Sequence, residues 1–525
     1  MNKPELLCPA GDLERLQMAL HFGADAVYLA GAQFGMRAGA ENFTPDGIRA
    51  AVQLAHAQGA AVHVTCNTLP RDDEMAQLPA YLELLDDAGV DAIIAADLGV
   101  ITLAKRYAPH VALHVSTQFG VVNSAAAAAL YDLGAQRVVL ARELSLAEIA
   151  AIRAHTPPEL ELEAFAHGAM CVSFSGRCLL SNYLTGRDAN RGRCAQPCRW
   201  KYGLTESKRP GQVFDITEDA RGTYIFNSRD MCMIDHLPEL LAAGITSLKI
   251  EGRTKSAYYV GAVTNAYRHA LDDAVAGRPL DPVWQREVLQ ISHRPYSTGF
   301  YFGQPGQYTA NSAYFAGAEV CAVVEGTAPD GRAVLTQRNK FAVGDTLELV
   351  TNAAPPVTFT AQDLRDADGL PLESVPHPMQ RFTMPLPCRA APLSLVRRKL
   401  PPKRLTFGSN VVKYKNPEQN AWMEKNCAAP GQQREGDGGS PSAGSMAAAP
   451  ERPGTTGTSV RVKDDLRRRV SGNQGGTVNA RMPSPLSLGR RHLFLKGDVL
   501  WTVCVVMARW SIWGRNPCSS GNTVF

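Results

Sequence analysis

The sequence contains no apolar run approaching the ~18 residues of a membrane-spanning helix. Its longest candidate, Val499–Ala508, stops at ten residues and is followed by Arg509. The opening Met-Asn-Lys-Pro-Glu lacks the apolar stretch of a secretory signal, so a cytoplasmic location and no membrane partner are expected. An excess of one charge is also missing. Fifty-four Lys and Arg stand against 50 Asp and Glu, and the net charge of +4 does not by itself announce a nucleic-acid binder. Any basic surface must be local. Two peptidase signatures are absent: H-E-x-x-H, which sets two imidazoles on one helical face, and the G-x-S-x-G elbow. No G-x-G-x-x-G follows the first apolar strand, which counts against a dinucleotide-binding open sheet.

What is present is an ordinary globular composition, 45% apolar and 20% charged, in a chain of 525 residues. Such a length suits two to four structural units at ~150 residues each. The first 255 residues alternate short apolar strands with amphipathic helices. Strands are expected at Glu5–Cys8, Ala26–Leu29, Ala61–Cys66, Ala92–Ala95, Ala112–Val115, Arg137–Leu140, Glu159–Ala166 and Ser247–Glu251. Helices are expected at Leu13–Phe22, Gly47–Gln58, Gln77–Ala88, Ser124–Leu133, Leu146–His155 and Ala257–Ala276. Eight strands alternating with helices predict a (β/α)8, TIM-barrel-like domain over 1–298. The connection before the eighth strand is anomalously long, an insertion at about 168–245 on the face where such barrels place chemistry. From 299 to 398 short strands separated by turn residues predict a small all-β domain, barrel or sandwich. Residues 399–525 read as a linker and a disordered or non-homologous tail, rich in Ala, Gly, Ser, Pro and Thr between Cys427 and Val460.

Cysteine placement is the strongest chemical signal. Cys171, Cys178, Cys194 and Cys198 share a 28-residue window in which uniform scatter of the 12 cysteines would place about 0.6. C-x6-C and C-x3-C pairs of thiolates suit a [4Fe–4S] cluster or a structural zinc. The six-residue gap exceeds that of common zinc knuckles and favours iron–sulfur. The same window is locally basic: Arg187, Arg191, Arg193, Arg199 and Lys201 face Asp188 alone, with Arg177 upstream. Such a loop suits nucleic-acid phosphates, with Tyr183 or Trp200 available to stack on a base; a solvated loop with Trp200 in the core is the plainer alternative.

The run Glu163-x-Phe165-x-x-Gly168-Ala-Met-Cys171-x4-Gly176-x-Cys178-x-Leu-Ser181 resembles the signature of the collagenase-like, U-32 peptidase family. Glu5-Leu-Leu-Cys-Pro-Ala-Gly, Asp25-Ala-Val-Tyr28 and Leu248-Lys-Ile-Glu251-Gly-Arg253 resemble the same family, over about residues 1–398. The similarity is greatest to the branch of tRNA 5-hydroxyuridine hydroxylases, which also carry a short C-terminal β domain. That resemblance implies hydroxylation of the wobble uridine of tRNA, dependent on prephenate as co-substrate and independent of molecular oxygen. It also implies a [4Fe–4S] cluster, carried onto Cys171, Cys178, Cys194 and Cys198 with Cys232 in reserve for the fourth ligand.

The expected strand ends supply the candidate active-site residues Asn67, Asp97, His114, Gln118, Arg142, Glu163, His167, Lys249, Glu251 and Arg253. Glu163, His167 and Arg253 are the first choices for catalysis. Arg142 or Arg253 suits a carboxylate, because a guanidinium fork matches it bidentately, and His114 or His167 suits proton transfer near neutral pH. Each equally suits an internal ion pair or hydrogen bond. Arg142, Arg187, Arg191, Arg193 and Trp200 are the expected substrate- and RNA-binding set. Cys8 and Cys66 read as packing thiols. Three other functions are weighed: a ubiquinone-precursor hydroxylase, a protease using Cys171 with His167, and a zinc-bearing accessory that binds RNA or a protein partner.

Overall fold

The computed structural model describes residues 3–36, 41–171, 173, 175, 178–200, 218–219, 222–223, 228–306 and 314–401. Its first part is built on β1 (Glu5–Pro9), β2 (Ala26–Leu29), β3 (Ala61–Cys66), β4 (Ala92–Ala95), β5 (Ala112–Val115), β6 (Arg137–Val139), β7 (Glu161–Ala169) and β8 (Ser247–Ile250). Each strand pairs in parallel with the next, and β8 closes the ring by pairing with both β7 and β1. The expected eight-stranded barrel is what the chain forms.

Strand alternation divides two environments. Leu6, Cys8, Val27, Leu29, Val62, Val64 and Cys66 lie in the large apolar core shared with the surrounding helices. Burial pushes the Cys8 and Cys66 thiols up to about 12, as suits packing residues. The barrel interior is instead markedly polar. Glu5, His63, His114, Arg137, Glu163, Ser247 and Lys249 occupy it, beside a small apolar group of Leu7, Ala26, Tyr28 and Ile94.

Helices follow the strands at Leu13–His21, Pro45–His56, Leu78–Asp87, Leu98–Tyr107, Ser124–Asp132, Leu146–Ala154, Leu237–Ala242 and Ala257–Val275. Their starts are set by side-chain caps: Asp12 accepts from the Arg15 amide, Asn123 from Ala126, and Ser145 forms a capping box with Glu148. Helix Leu98–Tyr107 is absent from the sequence expectation. The β-branched run Val100-Ile101-Thr102 obscures its period, while Asp97 accepts from the amides of Gly99 and Val100 and fixes its start.

The second part is an eight-stranded antiparallel sheet with a separate two-stranded ribbon. Strand Leu395–Lys399, also unforeseen, lies centrally between Thr346–Val350 and Ala318–Thr327. Its Arg-Arg-Lys sequence conceals it, yet Arg397 is 1% exposed. That guanidinium bonds Glu287 of the barrel part at 2.6 and 2.7 Å and Glu348 of the sheet at 2.9 Å. Met18 and Phe22 pack with Val323, Val350 and Leu395 beside it. Apart from 399–401, the expected tail lies outside the described residues.

Candidate active site at the mouth of the barrel

Two glycines place the turn that follows β8. A Cβ on Gly11 would stand 2.1 Å from the Arg253 carbonyl oxygen, and one on Gly168, at φ +113°, 2.5 Å from that of Glu251. No larger residue leaves room for Glu251-Gly252-Arg253 to cross between β1 and β7. Arg253 is thereby buried at the mouth, its Nη1 donating to Thr65 Oγ1 at 3.3 Å. Arg142, after β6, donates from Nη1 to the Ala169 carbonyl at 2.9 Å and lies 3.9 Å above the Phe165 ring. Its Nη2 is 3.9 Å from Glu251 Oε2. Asn67 accepts from the Met36 amide at 3.0 Å and reaches Ser116 Oγ at 3.4 Å, and Gln118 approaches the Met36 sulfur at 3.5 Å. Arg142, Arg253, Glu251, Asn67 and Gln118 therefore stand at the mouth as expected.

The insertion is tied across this opening. Ser175 donates to Glu143, after β6, through its amide at 3.0 Å and its hydroxyl at 3.1 Å. Arg191 forms an ion pair with Glu74, on the short helix Asp72–Met75 that follows β3. Between these ties, Ser181 Oγ donates to the Arg187 carbonyl at 2.6 Å and accepts from the Ala195 amide at 3.0 Å. Cys171 and Cys194 are exposed, Cys178 and Cys198 are half-buried, and none of the four is in a disulfide among the described residues. As a donor set, four thiols on one insertion suit a thiolate-held centre in chemistry. Among the described residues, no three His, Cys, Asp or Glu side chains stand close enough to share a metal. Arg187 and Arg193 are exposed, and Trp200, at 41%, lies at the surface rather than in the core. Arg177, Lys201 and the side chains of Tyr183 and Arg199 lie outside the described residues.

The other five expected mouth residues are otherwise committed. Strand β7 begins two residues later and runs three residues further than its apolar pattern indicates, so Glu163 sits near its start, inside the barrel. It is fully buried against Lys249 at 2.6 Å and Arg137 at 3.2 Å. Lys249 and His114 lie in the same interior; burial holds His114 well below its ordinary value, and its ring packs edge-on to His63 at 4.8 Å. His167 is turned out of the barrel by a register irregularity: Lys249 pairs with Phe165, but Ile250 pairs with His167, and the period of two breaks there. Its Nδ1 meets the Tyr267 hydroxyl at 3.2 Å and its Nε2 that of Tyr296 at 3.4 Å. Burial pushes this imidazole down to about 3, so it remains neutral where a proton shuttle would have to titrate. Both ring nitrogens are engaged with tyrosines, which leaves none to activate the Cys171 thiol. Asp97 is committed as a helix cap.

Cys232 belongs to the same outer cluster, on a short strand Asp230–Cys232 that runs antiparallel to β7 and pairs it with His167. Its sulfur is 3.7 Å from the Tyr267 hydroxyl, and burial pushes the thiol up to about 12. The tyrosines around His167 carry no local sequence signal, because they come from residues 259 to 296.

Comparison with known proteins gives the architecture a lineage. Residues 11–311 match the model of peptidase family U32, and residues 317–397 match that of the peptidase family U32 C-terminal domain. The tRNA hydroxylation protein P1 of Bacillus subtilis (strain 168) is 38% identical over 404 residues, 76% of this chain and 95% of that protein. The tRNA hydroxylation protein P of Escherichia coli (strain K12) is 34% identical over 430 residues, covering 74% and 94%. The 23S rRNA 5-hydroxycytidine C2501 synthase of the same strain is 40% identical over 277 residues, 53% of this chain and 40% of the relative. No helix among the described residues is long and apolar enough to cross a membrane. With seven of the eight barrel strands, the insertion and nearly all of the β domain inside the matched spans, this chain belongs to peptidase family U32.

Proposed function

We propose that this protein hydroxylates the wobble uridine of tRNA to 5-hydroxyuridine, independently of molecular oxygen and with prephenate as co-substrate. The observation that carries the reading is the cysteine-bearing, arginine-rich insertion tied across the barrel mouth by Ser175–Glu143 and Arg191–Glu74. Similarity to tRNA hydroxylation proteins along nearly their full length supports RNA as the substrate. Cys171, Cys178, Cys194 and Cys198 would hold a [4Fe–4S] cluster, their thiols drawn together when it assembles. Such a cluster, when bound, supplies one-electron chemistry beside the substrate.

The protein's own residues divide the remaining work. Arg187, Arg193 and Trp200 hold the RNA, the arginines on phosphates and the indole against a base. Arg191 contributes by anchoring the insertion through Glu74. Of the three residues expected to be catalytic, Arg253 stays beside the substrate at the mouth. Glu163 and His167 act as positioning residues, one inside the barrel and one behind β7. An exposed basic face suits RNA better than the ubiquinone precursor, which needs an apolar pocket.

Two measurements test this reading. Anaerobic purification of the full chain should yield about four irons and four sulfides per chain, with broad absorbance near roughly 400 nm. Replacing any of the four cysteines by alanine should remove both, while Cys232→Ala should retain them. Nucleoside analysis of tRNA from a deletion strain should show loss of 5-hydroxyuridine, restored by the intact gene. One zinc without sulfide would instead support the RNA-binding accessory, and unchanged tRNA would refute the substrate assignment.

A further inference from the structure

Arg142 is an incompletely neutralised guanidinium at the barrel mouth. Its side chain is 13% exposed, and its Nε is buried without a hydrogen-bond partner among the described residues. One nitrogen donates to a carbonyl, that of Ala169. The nearest carboxylate among the described residues, Glu251, stands off at 3.9 Å, beyond hydrogen-bonding range. A buried donor left unmade is costly, and a charged one more so. The guanidinium carbon lies 3.9 Å from the Phe165 ring centroid, a cation–π contact that restrains its rotation. Arg253, 4% exposed, brings a second guanidinium to the same mouth. Glycines at 11 and 168 are what allow the turn bearing Glu251 and Arg253 to approach so closely.

We propose that Arg142 is the carboxylate-binding residue of the mouth, receiving a small organic acid in bidentate fashion, with Glu251 as an internal competitor that stands off in the free protein. This deepens the reading given above, since it assigns the site of the small carboxylate co-substrate. The shared chemistry is that of an oxyanion, and an RNA phosphate is its other source. A small acid suits the site better, because Arg142 is enclosed, whereas Arg187 and Arg193 offer an extended polyanion the exposed charges it needs. A planar fork also matches a carboxylate in a way a lysine ammonium does not. Arg142 binds, and no bond is made or broken at it.

The test is calorimetric titration of the full chain with prephenate, malonate and inorganic phosphate, for wild type, Arg142→Gln, Arg142→Lys and Glu251→Gln. Circular dichroism and thermal midpoints establish that each variant is folded. Arg142→Gln should weaken acid binding by about 10- to 100-fold, the loss expected for a charge-assisted bidentate pair. Arg142→Lys should recover only part of it, and Glu251→Gln should tighten binding. Affinity for tRNA should stay within about twofold. Unchanged acid binding in Arg142→Gln overturns the assignment, as does failure of both acids to bind the wild type. Phosphate bound as tightly as malonate, with tRNA affinity falling in Arg142→Gln, overturns it in favour of an RNA contact. Malonate bound through Arg142 without prephenate binding leaves the site standing and removes prephenate from the proposed function.

Discussion

Glu163 Oε1 and Lys249 Nζ meet at 2.6 Å inside the barrel, and neither residue is more than 6% exposed. The second carboxylate oxygen faces Arg137 at 3.2 Å, and Arg137 continues to Glu5, Glu161 and Ser247. Charges drawn from four strands, β1, β6, β7 and β8, thus fill an interior that apolar side chains fill in most barrels of this kind. The pair sits beneath Phe165, whose ring lies 5.8 Å from Lys249 and 3.9 Å from Arg142. Interior ion pairs therefore support the floor on which the mouth is built.

Breaking that pair should be felt first in stability. Glu163→Gln leaves Lys249 buried without its carboxylate, an expected loss of about 3–5 kcal/mol, while Lys249→Met leaves Glu163 its contact with Arg137 and should cost less. Denaturant titration of each single variant and of the double variant checks this. The double variant should be less destabilised than the two losses added together. Equal activity loss with unchanged stability would instead make Glu163 a catalytic residue in its own right.

Acid should destabilise the protein in two ranges. Burial holds His167 at about 3 against an ordinary 6.5, so the unfolded chain takes up that proton first. His63 and His114, also lowered by burial, share the direction. Stability from these neutral imidazoles is complete above about pH 6.5 and declines as pH falls below it. Burial alone would raise the Glu5 carboxyl, but His63, Arg137 and hydrogen bonds from Arg137 and Ser247 bring it down to about 2 from 4.5. Its contribution is complete above about pH 4.5 and is lost toward pH 2. Thermal midpoints measured against pH should show both declines, with Glu5→Gln flattening the lower one and His167→Gln the upper.

RNA binding should depend on salt through the insertion. The double variant Arg187→Gln/Arg193→Gln should weaken tRNA binding and reduce the slope of log affinity against log salt by about 2. Trp200→Ala should cost about 1–3 kcal/mol with the slope unchanged, because stacking releases no counterions. Filter binding across a salt series checks both. An unaltered slope in the arginine variant would move the RNA to another face.

The linear sequence determined the barrel, because alternation of apolar strands with capped helices is a local property repeated eight times. It also determined the close spacing of four cysteines and of the basic residues around them, which is a property of the chain alone. The helix Leu98–Tyr107 and the strand Leu395–Lys399 were illegible: β-branched residues mask the first, and a charged strand becomes legible only once Glu287 and Glu348 are seen to bury Arg397. Only the tertiary structure decided which strand residues reach the mouth. Glu163 and His167 are four residues apart on β7, yet the first is directed into the barrel and the second behind it. One register irregularity separates them, and it depends on pairing with β8, more than eighty residues away along the chain. Arg142 gained its importance in the same way, because a guanidinium nitrogen buried without a hydrogen-bond partner among the described residues is visible only in the folded chain.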